Sequence, residues 1–267
     1  MIRYTSLASS SAYGNAYLVE GGGTRLLIDC GARQRRLVAD LARLGVDPAT
    51  LDAVLLTHEH ADHTYGLGLR RPLAAGHGVP LYAHPDVWRH CAAAQNYLER
   101  AGLSLSDELY LRPGAHLTIG AMTVIPFRTP HDAVCSLGFV IACGHQRLGL
   151  ATDLGHVSAE VADNLCGCTH LVIESNHDRR LELDSGRPWP LVQRVLGANG
   201  HLSNRQTADA LADLVGGMTR SILLAHLSLD CNRPELALTA AGGRLRASGW
   251  RGSLWAAPAG TPSGWLA

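Results

Sequence analysis

The stretch Leu55-Leu-Thr-His-Glu-His-Ala-Asp-His63 constrains this chain more than any other. An apolar run ends at Thr57, and four side chains able to ligate a metal follow at once: His58, His60, Asp62 and His63. Imidazole nitrogens and carboxylate oxygens suit zinc, manganese or iron. A strand that delivers such a loop can hold several ligands rigidly.

The same arrangement recurs downstream. Strand-like residues ending at Phe127 lead to Thr129-Pro-His131-Asp132, and Arg147 to Ala151 lead to Thr152-Asp153. Leu171-Val-Ile-Glu174 opens onto Ser175-Asn-His-Asp178, and Ser221-Ile-Leu-Leu-Ala-His226 leads into Leu227-Ser228. Polar residues gathered at successive strand ends are how active sites are commonly assembled on one edge of a scaffold.

The intervening sequence supplies a layered fold. Residues 1–30 read as two strands joined by the Gly21–Gly23 turn. The preceding Ser9–Asn15 loop reads as a sharp turn, with hydroxyls and backbone N–H groups able to face an anion. Residues 34–44 predict a helix, with Leu37, Val38, Leu41 and Leu44 on one face and Gly45 after its end. Arg33, Arg35 and Arg36 at its start read as a solvated face. A short helix is expected over 63–70, a strand over 79–82 and one helix over 84–101 with Pro85 in its first turn. Strand material follows at 117–127, 137–142 and 147–151, then a helix at 156–165 and another from Asn232 to about Ala241. This order fits a layered α/β or α+β sandwich. We expect one domain over 1–241 and a weakly structured tail over 242–267. The tail's Trp250, Trp255 and Trp265 would either pack back onto the body or stack on bases.

Composition narrows the function classes. With 267 residues and 46% hydrophobic content, the chain can bury a substantial core. Its 23 acidic residues balance 23 basic ones, every one of them Arg. That balance argues against a broad basic surface wrapping nucleic acid, while leaving room for a local positive groove. The N-terminus lacks a signal-like apolar core, and no apolar run is long enough to span a membrane. Seven cysteines with no structural-zinc spacing read as free thiols in a reducing, cytoplasmic compartment.

His-x-His-x-Asp-His after a hydrophobic strand and a Thr resembles the metallo-beta-lactamase superfamily, and the likeness extends over about 1–240. It implies an α+β fold, a four-layer αββα sandwich, and a centre of two divalent ions, zinc or manganese with iron admitted. By that resemblance His58, His60 and His131 take one ion, Asp62, His63 and His226 take the other, and Asp153 bridges them. A bridging hydroxide would be the nucleophile, with Asp62 helping to position the water. Further motifs resemble a narrower group, the bacterial exonucleases of the YycJ or WalJ type: Glu174-Ser-Asn-His-Asp178, Gly200-His-Leu-Ser-Asn204, and Ala225-His-Leu-Ser228 with Asn232. The chain departs from that group at Ala12-Tyr13 and at Gly186-Arg-Pro-Trp-Pro190. The resemblance implies 5′ to 3′ degradation of DNA, so the expected partner is nucleic acid, DNA first, with a homodimer admitted and no membrane. His201 and His177 are candidate proton donors. Ser228, Asn204, Ser203, Asn176 and Asp178 are candidates either to contact phosphate or to support the metal ligands. Arg179, Arg180, Arg194 and Arg205 are candidates to line a backbone path. The competing readings are a hydrolase of small or cyclic phosphodiesters and a metal-free binding or scaffold protein.

Overall fold

The structure is a computed structural model describing residues 1–68, 78–106 and 109–267. Its strands form two sheets. In the first, β1 (Arg3–Ser10), β2 (Gly14–Gly21) and β3 (Thr24–Ile28) make an antiparallel meander, which β4 (Ala53–Leu55) and β5 (Leu81–Tyr82) extend in parallel. In the second, β6 (Leu117–Ile119), β7 (Met122–Arg128), β8 (Leu137–Cys143) and β9 (Gln146–Ala151) are antiparallel, and β10 (His170–Glu174), β11 (Ser221–Ala225) and β12 (Ser253–Ala256) continue in parallel. Both sheets thus run from an antiparallel meander into parallel strands. Parallel neighbours need crossovers. These are supplied by α1 (Gln34–Arg43), α5 (Ala159–Leu165), the series α6 (Arg179–Leu183), α7 (Trp189–Leu196) and α8 (Asn204–Leu214), and α9 (Pro234–Ala247). The short α2 (Ala61–Thr64) follows β4, and α3 (Pro85–His90) and α4 (Ala92–Ala101) follow β5.

Three apolar clusters fix the layers. Between the sheets, Tyr4, Tyr17, Ile28 and Leu55 pack with Phe139, Leu150, Val172 and Leu223. Outside the first sheet, Leu27 and Val54 meet Leu37 and Leu41 of α1 and Trp88 and Tyr97 of α3 and α4. Outside the second, Ile173 and Leu224 meet Val161, Leu165, Leu211 and Leu245. Adjacent residues of one strand, such as Val172 and Ile173, therefore enter different cores. Strands covered on both faces read as unbroken apolar runs, as they do here. The result is the expected four-layer αββα sandwich of α+β type.

The structure departs from the expectations in several places. Residues 1–30 hold three strands rather than two, and Ser9, Ser10, Gly14 and Asn15 of the expected loop lie in β1 and β2. The helix expected over 84–101 breaks at Cys91, whose backbone is extended (φ −100°, ψ 94°). The break leaves the Trp88 carbonyl open, and Gln95 Nε2 donates to it at 2.7 Å. The segment 242–267 is not weakly structured. Helix α9 runs on to Ala247, β12 adds to the second sheet beside β11, and Tyr4 and Leu266 exchange backbone hydrogen bonds of 2.9 and 2.8 Å. Trp250 Nε1 donates to the Thr219 carbonyl, Trp255 packs into the inter-sheet core, and the Arg3 guanidinium lies 4.1 Å from the Trp265 ring centre. The short helix expected over 63–70 is present at its described positions, as α2 followed directly by a 3-10 turn at Tyr65–Gly68, and positions 69 and 70 lie outside the described residues. Among the described residues no helix is long and apolar enough to cross a membrane.

Candidate metal centre

Strands β3, β4, β7, β9, β10 and β11 deliver their C-terminal ends to one rim, the usual place for a site in sheets with parallel strands. Asp29 follows β3, Thr57 to His63 follow β4, His131 follows β7, Asp153 follows β9, Glu174 ends β10 and His226 follows β11. Three of these, Asp29, Asp153 and His226, have φ of 59°, 58° and 56°. A left-handed backbone at a non-glycine residue costs about 1–3 kcal/mol and clusters at functional sites. Here it turns the chain sharply as each strand ends, so that the side chain faces the rim.

Four overlapping groups of side chains could each hold a metal ion, their donor atoms all within 4.8 Å of one another: His58, His60 and His131; His58, His63 and Asp153; Asp62, His63 and His226; and Asp153, Glu174, His201 and His226. Ring orientations agree with this. His63 Nδ1 donates to Asp29 Oδ2 at 2.7 Å while its Nε2 lies 3.3 Å from Asp153. His226 Nδ1 donates to Glu174 Oε1 at 2.7 Å while its Nε2 faces Asp62 at 3.7 Å. His131 Nδ1 donates to the Gly200 carbonyl at 3.3 Å, and its Nε2 lies 3.4 Å from His60 Nδ1. The Thr57 hydroxyl donates to Asp29 and sits 2.9 Å from His58 Nδ1. Fixing one ring nitrogen in this way orients the other as a ligand. His58 Nε2 and Asp153 Oδ2 are buried with no hydrogen-bond partner. Such orphaned groups are costly in a protein interior, and bound cations would satisfy both. Burial, followed by the charges of the His63, His131 and His60 rings, holds the His58 pKa well below its ordinary value. The ring is therefore neutral, with a lone pair to offer.

Two carboxylates that the sequence reading left without a role organise this centre. Glu174 is fully buried. Its Oε1 accepts from His226 and from His201 Nδ1 at 2.9 Å, and its Oε2 accepts from the backbone N–H groups of Leu154 and Leu202. Burial raises its pKa, but the His201 and His226 rings outweigh that and hold it well below the usual carboxylate range. Asp29 accepts from His63 and from the Thr57 N–H and hydroxyl. Burial raises its pKa, against the pull of His63 and Thr57. Each acid ends an apolar strand, Leu-Leu-Ile-Asp29 and Leu-Val-Ile-Glu174, and that was the available signal. The Ser9–Asn15 loop also reaches the centre. Asn15 Nδ2 lies 3.0 Å from His63 Nε2 and donates to Asp62 at 3.2 Å, and the Ser11 hydroxyl lies 3.2 Å from His226 Nε2.

The seven expected ligands, His58, His60, Asp62, His63, His131, Asp153 and His226, are thus brought together. The other candidates divide. His201 joins the rim; burial lowers its pKa, but the Glu174 charge and hydrogen bond raise it by more, so the net shift is upward. His177 is buried and neither ring nitrogen has a hydrogen-bond partner. Asp178 caps α6 by accepting from the N–H groups of Arg180 and Leu181, and Ser203 caps α8 in a reciprocal pair with Gln206. Both satisfy helix N–H groups rather than facing the rim. Asn204 exchanges two amide hydrogen bonds with Asn232, and Asn176 Nδ2 donates to the His226 carbonyl. These two hold the ligand-bearing loops from beneath. Ser228 faces a cavity beside the centre, as does Arg194, which pairs with Asp132. Arg180 and Arg205 lie in exposed pairs with Asp184 and Asp209 on their own helices. Glu59 accepts from the Val134 N–H at 2.9 Å and ties the two ligand loops together.

A profile described as the beta-lactamase superfamily domain matches residues 24–227. The exodeoxyribonuclease WalJ of Streptococcus pneumoniae is 34% identical over 235 residues, covering 88% of this chain and 85% of that protein. The exodeoxyribonuclease YycJ of Bacillus anthracis is 33% identical over 237 residues, covering 88% and 86%. Among solved structures, the metallo-beta-lactamase fold protein YhfI of Bacillus subtilis superposes with a TM-score of 0.71 at 20% identity over 98% of both chains, a likeness of fold.

Proposed function

This chain belongs to the metallo-beta-lactamase superfamily and is a metal-dependent hydrolase, and on that footing we propose that it cleaves phosphodiesters in DNA, from the 5′ end toward the 3′ end. The observation that carries the proposal is the set of interlocking ligand groups around the orphaned His58 Nε2 and Asp153 Oδ2. Similarity to two exodeoxyribonucleases over 88% of the chain supports DNA as the substrate. Seven unpaired cysteines support a reducing, cytoplasmic setting.

In this reading His58, His60 and His131 would hold one divalent ion, zinc or manganese, and Asp62, His63 and His226 would hold the other, with the Asp153 carboxylate available to both. When bound, such a pair supplies Lewis acidity and an activated water for in-line displacement. The chain supplies the rest. Asp62 is positioned to orient the attacking water. Glu174 keeps His201 protonated and aimed at the rim, so His201 donates its proton to the departing 3′-oxygen as the P–O3′ bond breaks. The water oxygen becomes the new oxygen of a 5′-phosphate. His177 is buried with neither ring nitrogen hydrogen-bonded and belongs to none of the cation-binding groups.

The test supplies Mn²⁺ or Zn²⁺ with end-labelled duplex and single-stranded DNA, RNA and a small chromogenic phosphodiester. Processive loss from a 5′ end is expected. Turnover of the small ester alone would replace the polymer reading with that of a small-diester hydrolase. Absence of bound metal, with His58→Ala as the control, would leave a binding or scaffold protein.

A further inference from the structure

The cavity that opens on the ligand cluster has a volume of about 280 Å³ and a neighbour of about 540 Å³, and the two share Ser11, Arg194 and His201. The neighbour is large enough for a ligand the size of one nucleoside, and its walls are of two kinds, as in small-molecule sites. Leu191 and Leu229 present apolar side chains that remain 37% and 44% exposed. Ser10 and Ser228 line the same cavity, and their hydroxyl oxygens accept from the N–H groups of Tyr13 and Cys231.

The charges decide what that ligand is. Arg187 borders the cavity, but its guanidinium already donates to the buried Glu182 at 3.3 Å and to Asp230 at 2.7 Å. Arg194 is paired with Asp132. Neither guanidinium has an uncompensated charge for a phosphate. We propose that this second cavity is a subsite for the uncharged part of the substrate, the nucleoside next to the phosphate held at the ligand cluster. The inference deepens the phosphodiesterase reading and rests on it. Stacking against Leu191 and Leu229, with hydroxyl contacts from Ser10 and Ser228, would make the enzyme select a nucleotide ester over a simple alkyl ester.

The experiment compares thymidine 5′-(4-nitrophenyl phosphate) with methyl 4-nitrophenyl phosphate, which release the same leaving group. In the native enzyme kcat/KM should favour the nucleoside ester by roughly tenfold or more. Leu191→Trp and Leu229→Trp, which fill the cavity from partly exposed positions, should bring that ratio toward one. Thermal melts would show that both variants fold. A ratio near one in the native enzyme, or a ratio that neither variant changes, overturns the subsite. Hydrolysis of neither ester, together with no loss of labelled DNA, in Mn²⁺ or Zn²⁺ overturns the phosphodiesterase reading instead. In that event thymidine binding, followed by saturation-transfer NMR, still judges the cavity: binding lost in Leu191→Trp supports the subsite, and no binding by the native chain refutes it.

Discussion

Glu174 Oε1 receives two imidazole N–H groups and its Oε2 two backbone N–H groups. Glu174→Gln keeps the shape but aims an NH₂ at donors whichever way the amide turns. We expect metal affinity to fall about 10- to 100-fold, measured by titration with a competing chelator, with the fold intact by circular dichroism. His201→Ala should lower kcat on DNA by about 10²- to 10⁴-fold. Its effect on a 4-nitrophenyl ester should be far smaller, because that leaving group departs without a proton. Equal losses on both substrates would assign His201 to support of the centre rather than to proton transfer. Of the seven expected ligands, His58, His60, Asp62 and His63 were legible because His and Asp at such density after a strand have few other uses, whereas the lone His131, Asp153 and His226 came only from the family resemblance. Glu174 and Asp29 were not, because a carboxylate after an apolar strand looks like any loop residue until its partners appear. Those partners, His226 and His63, are 52 and 34 residues away in sequence.

At the level of elements, the turn after β3 is the tightest junction in the site. A Cβ on Gly31 would fall 1.6 Å from the Asp62 carbonyl oxygen and 2.6 Å from the Asn15 nitrogen. Both obstacles are backbone, so no side chain can move aside. Gly31→Ala should therefore displace the His60–His63 loop or unfold the chain, at a cost of about 3 kcal/mol or more. Chemical denaturation would measure it, and a loss below about 0.5 kcal/mol, the usual range for surface changes, would contradict the close approach. Most strands could be read from their apolar runs, whereas the break at Cys91 could not. It depends on Trp88 and Tyr97 both reaching one core, which the local pattern does not encode. Strand β12 was missed for a related reason. Its four residues sit among Gly, Ala, Ser and Pro, and it is a strand because β11 offers an open edge.

Across the whole molecule, the C-terminal segment fastens the two sheets to each other. Ala257 donates to Leu224 beyond the end of β12, Ala259 accepts from Ser9 of β1, and Leu266 pairs with Tyr4. Ser9 in turn accepts from the His226 N–H. Deleting 248–267 should lower the unfolding midpoint and weaken metal binding together, read by calorimetry with and without Mn²⁺. A dispensable tail would change neither. The inter-sheet core also carries an acid sensitivity. Tyr4 and His170 both bond Ser221, at 2.9 and 2.6 Å. Burial, with the Arg220 charge, lowers the His170 pKa from 6.5 to about 4. Between those values the unfolded chain holds the extra proton, so stability falls as pH drops from 6.5 toward 4. The full effect is at most about 3 kcal/mol. His170→Asn should flatten the dependence of stability on pH in that window, and an unchanged slope would mean that the ring is not held neutral.

The ligand set is divided between the halves of the chain: His58, His60, Asp62 and His63 follow a strand of the first sheet, and His131, Asp153 and His226 follow strands of the second. Three of the four cation-binding groups draw on both halves and exist only while the halves are docked, whereas Asp153, Glu174, His201 and His226 all belong to the second half. Cation binding and docking are then one equilibrium seen from two sides. Loosening the seam between the sheets would weaken cation binding by those three groups, and a cation bound across it at 100 times its dissociation constant would tighten the seam by about 2.7 kcal/mol. A cation held across that seam would be a keystone as much as a reagent.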